Sequence, residues 1–455
     1  MKKRLLASLL AAVAAASCMV SCGNKSNTGN NQNMGSSAPS SAAGNEAAGK
    51  AVVVTLPTYY CGENVGAIYF EPAVKRFNEQ YAGRYEVRLE EVVEASYNDK
   101  MSTLAQSGKL PVLISGGSNE WMKTVLIPRK LYWDTGAWLQ ESGIMDLCLD
   151  ASVEYSTQED GSIVGIPMVS VSTMGLYCNT TKYSPDKNVA DMTVDEFVES
   201  LGGEKIAWQT VDNAWTSMLF MTALIANEEG GTGWLQEYDG GKCYDYDNAW
   251  MQAAAAKFVE IWNKTGGSAY IGKAYADAAN DFMSNNSAVI CNGTWMNAEF
   301  GADSTANWSN GFNGADVTAD YYPGNIALCN TRGYGRWFIT NNFSSDAELE
   351  AAKAFMEFIY SPEELEQFAL TEGCQIPKLT YSENYRAKLD EQPLVKAQSE
   401  KLTDKTTIVP TIASIMPDSV ANSVFGNELT RLVNGVISPE QFCSTLTVKA
   451  QEAKD

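Results

Sequence analysis

A short apolar run behind a basic start decides where this chain folds. Lys2, Lys3 and Arg4 precede Leu5–Ala16, a stretch rich in Leu and Ala. A membrane-spanning helix needs about 20 apolar residues, so a run this short with these flanks predicts an export signal over residues 1–21. Residues 23–50 are mostly Asn, Ser, Gly and Ala. They bury too little apolar surface to offset the entropy of ordering them, so 22–50 reads as a flexible linker. The folded body is expected to begin near Ala51 and to form outside the cytoplasm. The roughly 400 residues beyond that point exceed one typical core, which predicts two domains. No internal repeat is visible, and no later segment is long and apolar enough to span a bilayer.

Composition removes several classes of chemistry. The chain holds no histidine. That excludes a Ser-His-Asp or Cys-His nucleophile pair, a His-ligated zinc and a His acid/base, while carboxylates, Lys and Tyr remain available. Net charge is −22; without Lys2, Lys3 and Arg4 the 33 basic residues become 30 against 55 acidic, or −25. Such acidity argues against nucleic acid or anionic lipid headgroups as partners and serves solubility. Of ten cysteines, Cys18 and Cys22 belong to the leader. The other eight (Cys61, Cys148, Cys178, Cys243, Cys291, Cys329, Cys374 and Cys443) show no CxxC spacing. Export permits disulfides, yet Cys178 and Cys291 sit in apolar strand-like runs where a thiol packs as a small hydrophobe; no pairing is assigned. Asp245, Asp247 and Asn248 have calcium-like spacing without the glycine and distal glutamate of an EF-hand loop, so they read as a solvated turn. No P-loop or dinucleotide fingerprint is present. Neither a metal nor a cofactor is expected.

The body opens with a strand in the continuous apolar run Ala51–Leu56, then a helix with Ala73, Val74, Phe77 and Tyr81 on one face, then a strand over Tyr85–Val93. Strand, helix, strand is the opening of an α/β domain. Thr193 with Glu196 and Ser345 with Glu348 have the spacing of capping boxes. Ser361-Pro362 and Ser438-Pro439 place proline at the first helical position, where no amide is needed. A further helix is predicted over Ala253–Trp262. Strands are predicted near Pro111–Ser115, Ile163–Pro167, Gly175–Cys178, Ala288–Cys291 and Trp337–Thr340.

The order of these pieces carries a resemblance. Leu104–Val112 stands where one family has Gly-x-x-Pro-Asp-Val. Gly161–Pro167, Leu176–Asn179, Met192–Phe197, Phe282–Trp295, Tyr322–Gly324, Gly373–Pro377 and Leu432–Glu440 follow in that family's order. Together they resemble the extracellular solute-binding proteins of ABC importers, in the sugar-binding branch that includes maltose-binding protein. The resemblance covers nearly all of the chain after the linker. Val112 replaces a family aspartate and Val194 a family tryptophan. The residue before Cys22 resembles a bacterial lipoprotein processing site, with Cys18 as a rival; lipidation of Cys22 would anchor the protein to the outer face of the membrane or in a periplasm. Ordinary secretion is the alternative.

The resemblance implies a two-lobe α/β fold of the type II periplasmic-binding-protein kind, with a ligand cleft between lobes joined by crossover strands. It places lobe 1 at 51–169 and 323–370, lobe 2 at 170–322 and 371–445, and a tail at 446–455. It also implies a monomer without enzymatic activity that takes up a small molecule, a sugar or oligosaccharide, closes on it by a hinge motion and passes it to importer membrane subunits. A non-sugar solute (peptide, polyamine, phosphate ester or metal chelate), a sensory role and a glycosidase with paired carboxylates are the competing readings.

Sugars present hydroxyl edges and C–H faces, so a site for them needs aromatic plates and planar polar groups. Trp295 ends a strand where the family places a stacking tryptophan. Asn119, Glu120 and Trp121 follow the strand Pro111–Ser115. Asp212, Asn213 and Trp215 precede a long helix, where the family has an acidic and aromatic cluster. Tyr59, Tyr60 and Glu63 follow the first strand, at the end that faces the crevice in open α/β sheets. Ser170, Ser172 and Thr173 lie at the first crossover. Arg332, Tyr334 and Trp337 lie in a Gly-rich return, where an arginine would meet a carboxylate or phosphate, or pair with one of the many acids.

Overall fold

The computed structural model describes residues 50–454 apart from 63, 65, 302, 303 and 305; the export signal, Cys22, most of the linker and Glu63 lie outside the described residues. Ten strands, β1 (Val52–Thr58), β2 (Tyr85–Glu91), β3 (Leu113–Ser115), β4 (Met174–Asn179), β5 (Ile206–Ala207), β6 (Val289–Gly293), β7 (Val317–Asp320), β8 (Ile326–Leu328), β9 (Trp337–Ile339) and β10 (Thr407–Val409), are embedded among helices. Two bodies of core arise from them.

In the first lobe β1 and β2 pair in parallel, and β3 pairs antiparallel with β9. Side chains on a strand alternate between faces. Leu113, Trp337 and Ile339 accordingly join one core, packed under the helices Ala67–Gln80 and Asp346–Ile359. Ile114 and Phe338 point the other way, into a smaller cluster with Tyr97, Met101 and Trp121. The helix predicted around Phe77 begins earlier, at Ala67, and takes Pro72 into its second turn. There the ring costs one backbone hydrogen bond, since proline has no amide to donate.

The second lobe is a six-stranded sheet in the order β10-β8-β4-β6-β5, with β7 also paired to β4. The helix Trp215–Asn227 runs through its middle. Every residue from Thr216 to Ala226 is buried, so this helix is apolar on all sides, as a fully enclosed helix must be. Trp208 packs edge-on against Phe220 at 5.2 Å and Phe258 at 4.9 Å between centroids. All eight cysteines of the body are buried free thiols. Burial pushes the Cys291 thiol up to about 12, in keeping with its role as a packed hydrophobe.

Helix starts follow the sequence with one revision. Thr193 and Ser438 form complete capping boxes with Glu196 and Gln441. Ser345 caps its helix, but the Glu348 carboxylate accepts from the N–H and O–H of Ser344 instead of closing the box on Ser345. Asn248 is also a cap, its side chain accepting from the Met251 N–H at 3.0 Å. The acidic turn before it thus starts a helix, and among the described residues no acidic or thiol cluster fit for a metal occurs.

The chain passes between the lobes three times: from Val169 to Met174, from Leu328 to Trp337, and between Leu389 and Leu394. At the first pass Val171 and Gln375 exchange backbone hydrogen bonds of 2.7 and 3.0 Å. Four expectations shift. Ile326 and Leu328 belong to the second lobe, because β8 pairs with β10 and touches β4 at Met174. Tyr385 sits in the first core, so that lobe extends past 370. The expected tail is helical to Glu452 and buries Leu446 and Ala450. Ile163–Pro167 forms no strand; it is extended chain with single bridges from Ile163 to Thr157 and from Val164 to Asp134.

Candidate functional site

Strand ends and crossovers converge on one cavity of about 430 Å³, within the range of small-molecule sites of about 300–1,000 Å³. The carboxyl ends of β1 and β3 supply Tyr59, Tyr60, Gly116 and Gly117; the carboxyl end of β6 leads to Trp295. These ends are held in place by buried hydroxyls. Thr58 Oγ1 accepts from Ser115 Oγ at 2.8 Å and from the Tyr60 N–H at 3.1 Å. The Tyr97 hydroxyl donates to the Ser115 carbonyl at 2.8 Å.

The second lobe contributes two indoles. Trp295 and Trp215 lie 5.6 Å apart with an angle of 36° between planes. Trp295 folds back over Gly293, where an added Cβ would come within 2.2 Å of its ring; only glycine leaves room for the indole in this pose. Asn213 Oδ1 accepts from the Trp215 N–H at 3.2 Å and from Gln209 Nε2 at 2.9 Å, which fixes the turn that carries Trp215.

The first lobe contributes phenols and one cation. Tyr59 and Tyr60 rings lie 4.3 Å apart, with hydroxyls 3.0 Å from one another. Burial and the neighbouring Tyr60 push the Tyr59 phenol well above its ordinary value, so the Tyr59 hydroxyl keeps its proton. The Arg336 guanidinium lies 4.3 Å from the Tyr60 ring centroid, a cation–π distance. It also pairs end-on with Glu372 through bonds of 3.2 and 3.1 Å. Burial opposes its charge, but Glu372 and Tyr60 hold it protonated well above the usual arginine range. Arg336 is the one charged side chain among the described residues that line the cavity.

Half of the sequence candidates meet here: Tyr59, Tyr60, Ser170, Ser172, Trp215, Trp295, Tyr334 and Trp337. Of the rest, Glu63 lies outside the described residues, and the others do not line the cavity. Trp121 is buried in the smaller first-lobe cluster and donates from Nε1 to Ser102 Oγ at 2.8 Å, because the helical turn after Ser118 rotates it inward. Glu120 accepts from the backbone N–H of Asp418 at 3.1 Å, a bond between the lobes outside the cavity. Asn119 lies beside Gly333 and does not line it. Asp212 is exposed, with a left-handed φ of 56°. Thr173 points to the opposite face of the crossover from Ser172, its hydroxyl 3.2 Å from that of Tyr321. Arg332 faces Glu154 at 3.4 Å; the arginine of the cavity is Arg336.

Sequence reasoning did not single out Arg336, Asn330, Tyr69, Tyr360, Phe368 or Thr411. The only local signal was for Arg336, which shares the Gly-rich return with Arg332. Tyr69, Tyr360 and Phe368 lie on or at the ends of helices, where nothing local distinguishes a cavity position from a core one.

Comparison with known proteins bears on most of the chain. The family described as bacterial extracellular solute-binding proteins matches residues 72–397. No curated protein matches in sequence. Among solved structures, a chitin oligosaccharide binding protein aligns with a TM-score of 0.68 at 18% identity, covering 89% of this chain and 99% of its own. A Streptococcus pneumoniae solute-binding protein in complex with the blood group A-trisaccharide gives 0.65 at 18%, covering 88% and 100%. Maltose-bound MalE3 of T. maritima gives 0.64 at 17%, covering 88% and 100%. At such identities the likeness is one of fold.

Proposed function

Because the chain belongs to the bacterial extracellular solute-binding proteins, we propose that it captures a sugar or short oligosaccharide between its lobes and delivers it to an ABC importer. One observation carries the reading: the paired indoles Trp215 and Trp295 of one lobe and Tyr59, Tyr60 and Tyr334 of the other line a single cavity. Aromatic faces pack on sugar C–H faces, while Ser170, Ser172 and Asn330 offer hydrogen bonds to hydroxyl edges. A ligand touching both lobes stabilises the closed arrangement over an open one, since only the closed state makes both sets of contacts. The solved relatives whose titles name chitin oligosaccharide, blood group A-trisaccharide and maltose support the sugar reading.

The lining also weighs against two rivals. It holds no Asp or Glu among the described residues. A polyamine would find no counter-charge, and a glycosidase would lack its carboxyl pair. The test is a thermal-shift screen of residues 51–455 against sugars, peptides and polyamines. A true ligand at 100 times its dissociation constant stabilises the native state by about 2.7 kcal/mol, a readily measured rise in melting temperature. Shifts with peptides or polyamines and none with sugars would sink the sugar reading.

Anchoring belongs to the same proposal. Lipidated Cys22 tethers the protein to the outer face of the membrane through the linker. The full-length protein should fractionate with membranes and Cys22→Ser should release it. Recovery of wild-type protein in the soluble fraction would favour ordinary secretion.

A further inference from the structure

We infer that the inner, first-lobe end of the cavity is a recognition pocket for an acetamido group, so that the ligand is an N-acetylated amino sugar. The inference rests on the sugar reading above and narrows it. This end of the cavity is walled by Trp337, Ile359, Tyr360, Leu365, Phe368 and Tyr69. The Tyr69 ring meets Phe368 edge-on at 5.1 Å, and the Arg336 guanidinium lies 5.1 Å from the same Phe368 ring. Tyr69 is only 5% exposed, yet its hydroxyl has no hydrogen-bond partner among the described residues. A buried hydroxyl without a partner is costly, and cavity walls are where a ligand supplies one. Arg336 gives two of its five N–H groups to Glu372 and keeps three. The pocket is therefore an apolar wall with spare Arg336 donors, its acceptors limited to the tyrosine hydroxyls.

Three ligand groups fit this unequally. A sugar hydroxyl cluster brings its own O–H donors, and these would be stranded against Phe368 and Leu365. A carboxylate could accept from Arg336, but Glu372 already balances that charge, so the anion would lose its water without gaining a net opposite charge. An acetamido group divides as the pocket does. Its methyl packs on the apolar wall, its carbonyl oxygen accepts from the Tyr69 O–H or an Arg336 N–H, and its single N–H needs only one acceptor, which a lining tyrosine hydroxyl can supply.

The test is calorimetric titration of the whole mature protein with matched sugar pairs: cellobiose and N,N′-diacetylchitobiose, galactose and N-acetylgalactosamine, mannose and N-acetylmannosamine. Glucosamine and glucuronic acid serve as the amine and carboxylate controls. In at least one pair the acetylated member should bind about tenfold or more tightly than its parent. Tyr69→Phe keeps the ring and removes only the hydroxyl. It should weaken the acetylated ligand about fivefold to tenfold and leave the parent sugar unchanged, with the melting temperature reporting that the variant is folded. Equal affinities in every pair, a glucuronic acid preference, or an equal loss for both members in Tyr69→Phe would each overturn the inference while the sugar reading stands. Failure of every sugar to bind would instead overturn the sugar reading and the inference with it.

Discussion

Replacing Trp295 with alanine should raise the dissociation constant for the sugar ligand about 30-fold to 150-fold. The indole is half-buried against the second core and lines the cavity beside Trp215. Removing such a plate forfeits aromatic contact worth about 2–3 kcal/mol, which is that range of affinity. Folding should suffer far less, because the rest of the second-lobe core keeps its contacts. Titration of the variant alongside a melting curve separates the two effects. Wild-type affinity in Trp295→Ala would mean that the indole is packing and not a platform. Gly293→Ala should act in the same direction without deleting the ring, since the new Cβ cannot share space with it.

Glu372→Ala should be among the most destabilising single changes in the first lobe. The Glu372 side chain is 10% exposed and its partner Arg336 26%. Removing the carboxylate leaves a guanidinium with little water and only aromatic faces for company. Breaking a buried pair costs about 3–5 kcal/mol, and the partial exposure of Arg336 places this case near the lower end. The expected result is a clear fall in melting temperature, measured by calorimetry. Joint replacement, Arg336→Met with Glu372→Leu, should recover much of the stability, because no charge is then left unpaired. The double variant should nevertheless bind ligand poorly, having lost the only charged group among the described residues that line the cavity. A melting temperature unchanged in Glu372→Ala would show that water already serves the guanidinium.

What could be read from the sequence follows from how far each signal reaches along the chain. Capping residues and strand runs act over a few positions, so Thr193, Ser438 and the strands around Val54, Leu113, Leu176 and Ile290 were legible. Trp295 was legible because a strand, a glycine and a tryptophan occur in a fixed order. Trp121 was misplaced because a loop after Gly116-Gly117 suggests a cleft, whereas one helical turn set by Ser118 aims the indole at Ser102. Arg332 and Arg336 are equivalent in a glycine-rich segment with no periodicity; only the position of Glu372 on a distant helix separates them. Strand pairing is equally non-local: β8 is three residues whose membership of the second lobe depends on β10, some 80 residues later. The final helix was a different failure. Phe442, Leu446 and Ala450 repeat every four residues, so its buried face was present in the sequence.

The three passages between lobes have a consequence for synthesis. Neither lobe is a continuous stretch of chain: the first needs β9 and the helices after it, and the second needs β10 and the helix Pro439–Glu452 packed on Ala249–Lys264. A segment emerging from the ribosome before residue 337 lacks the strand that completes β3, and one before residue 407 lacks the partner of β8. Nascent chains therefore meet long loop closures before their contacts are rewarded, which slows folding. For a protein whose family is extracellular, delayed folding is an advantage, because a chain that has not yet closed its lobes can still be threaded through a membrane channel.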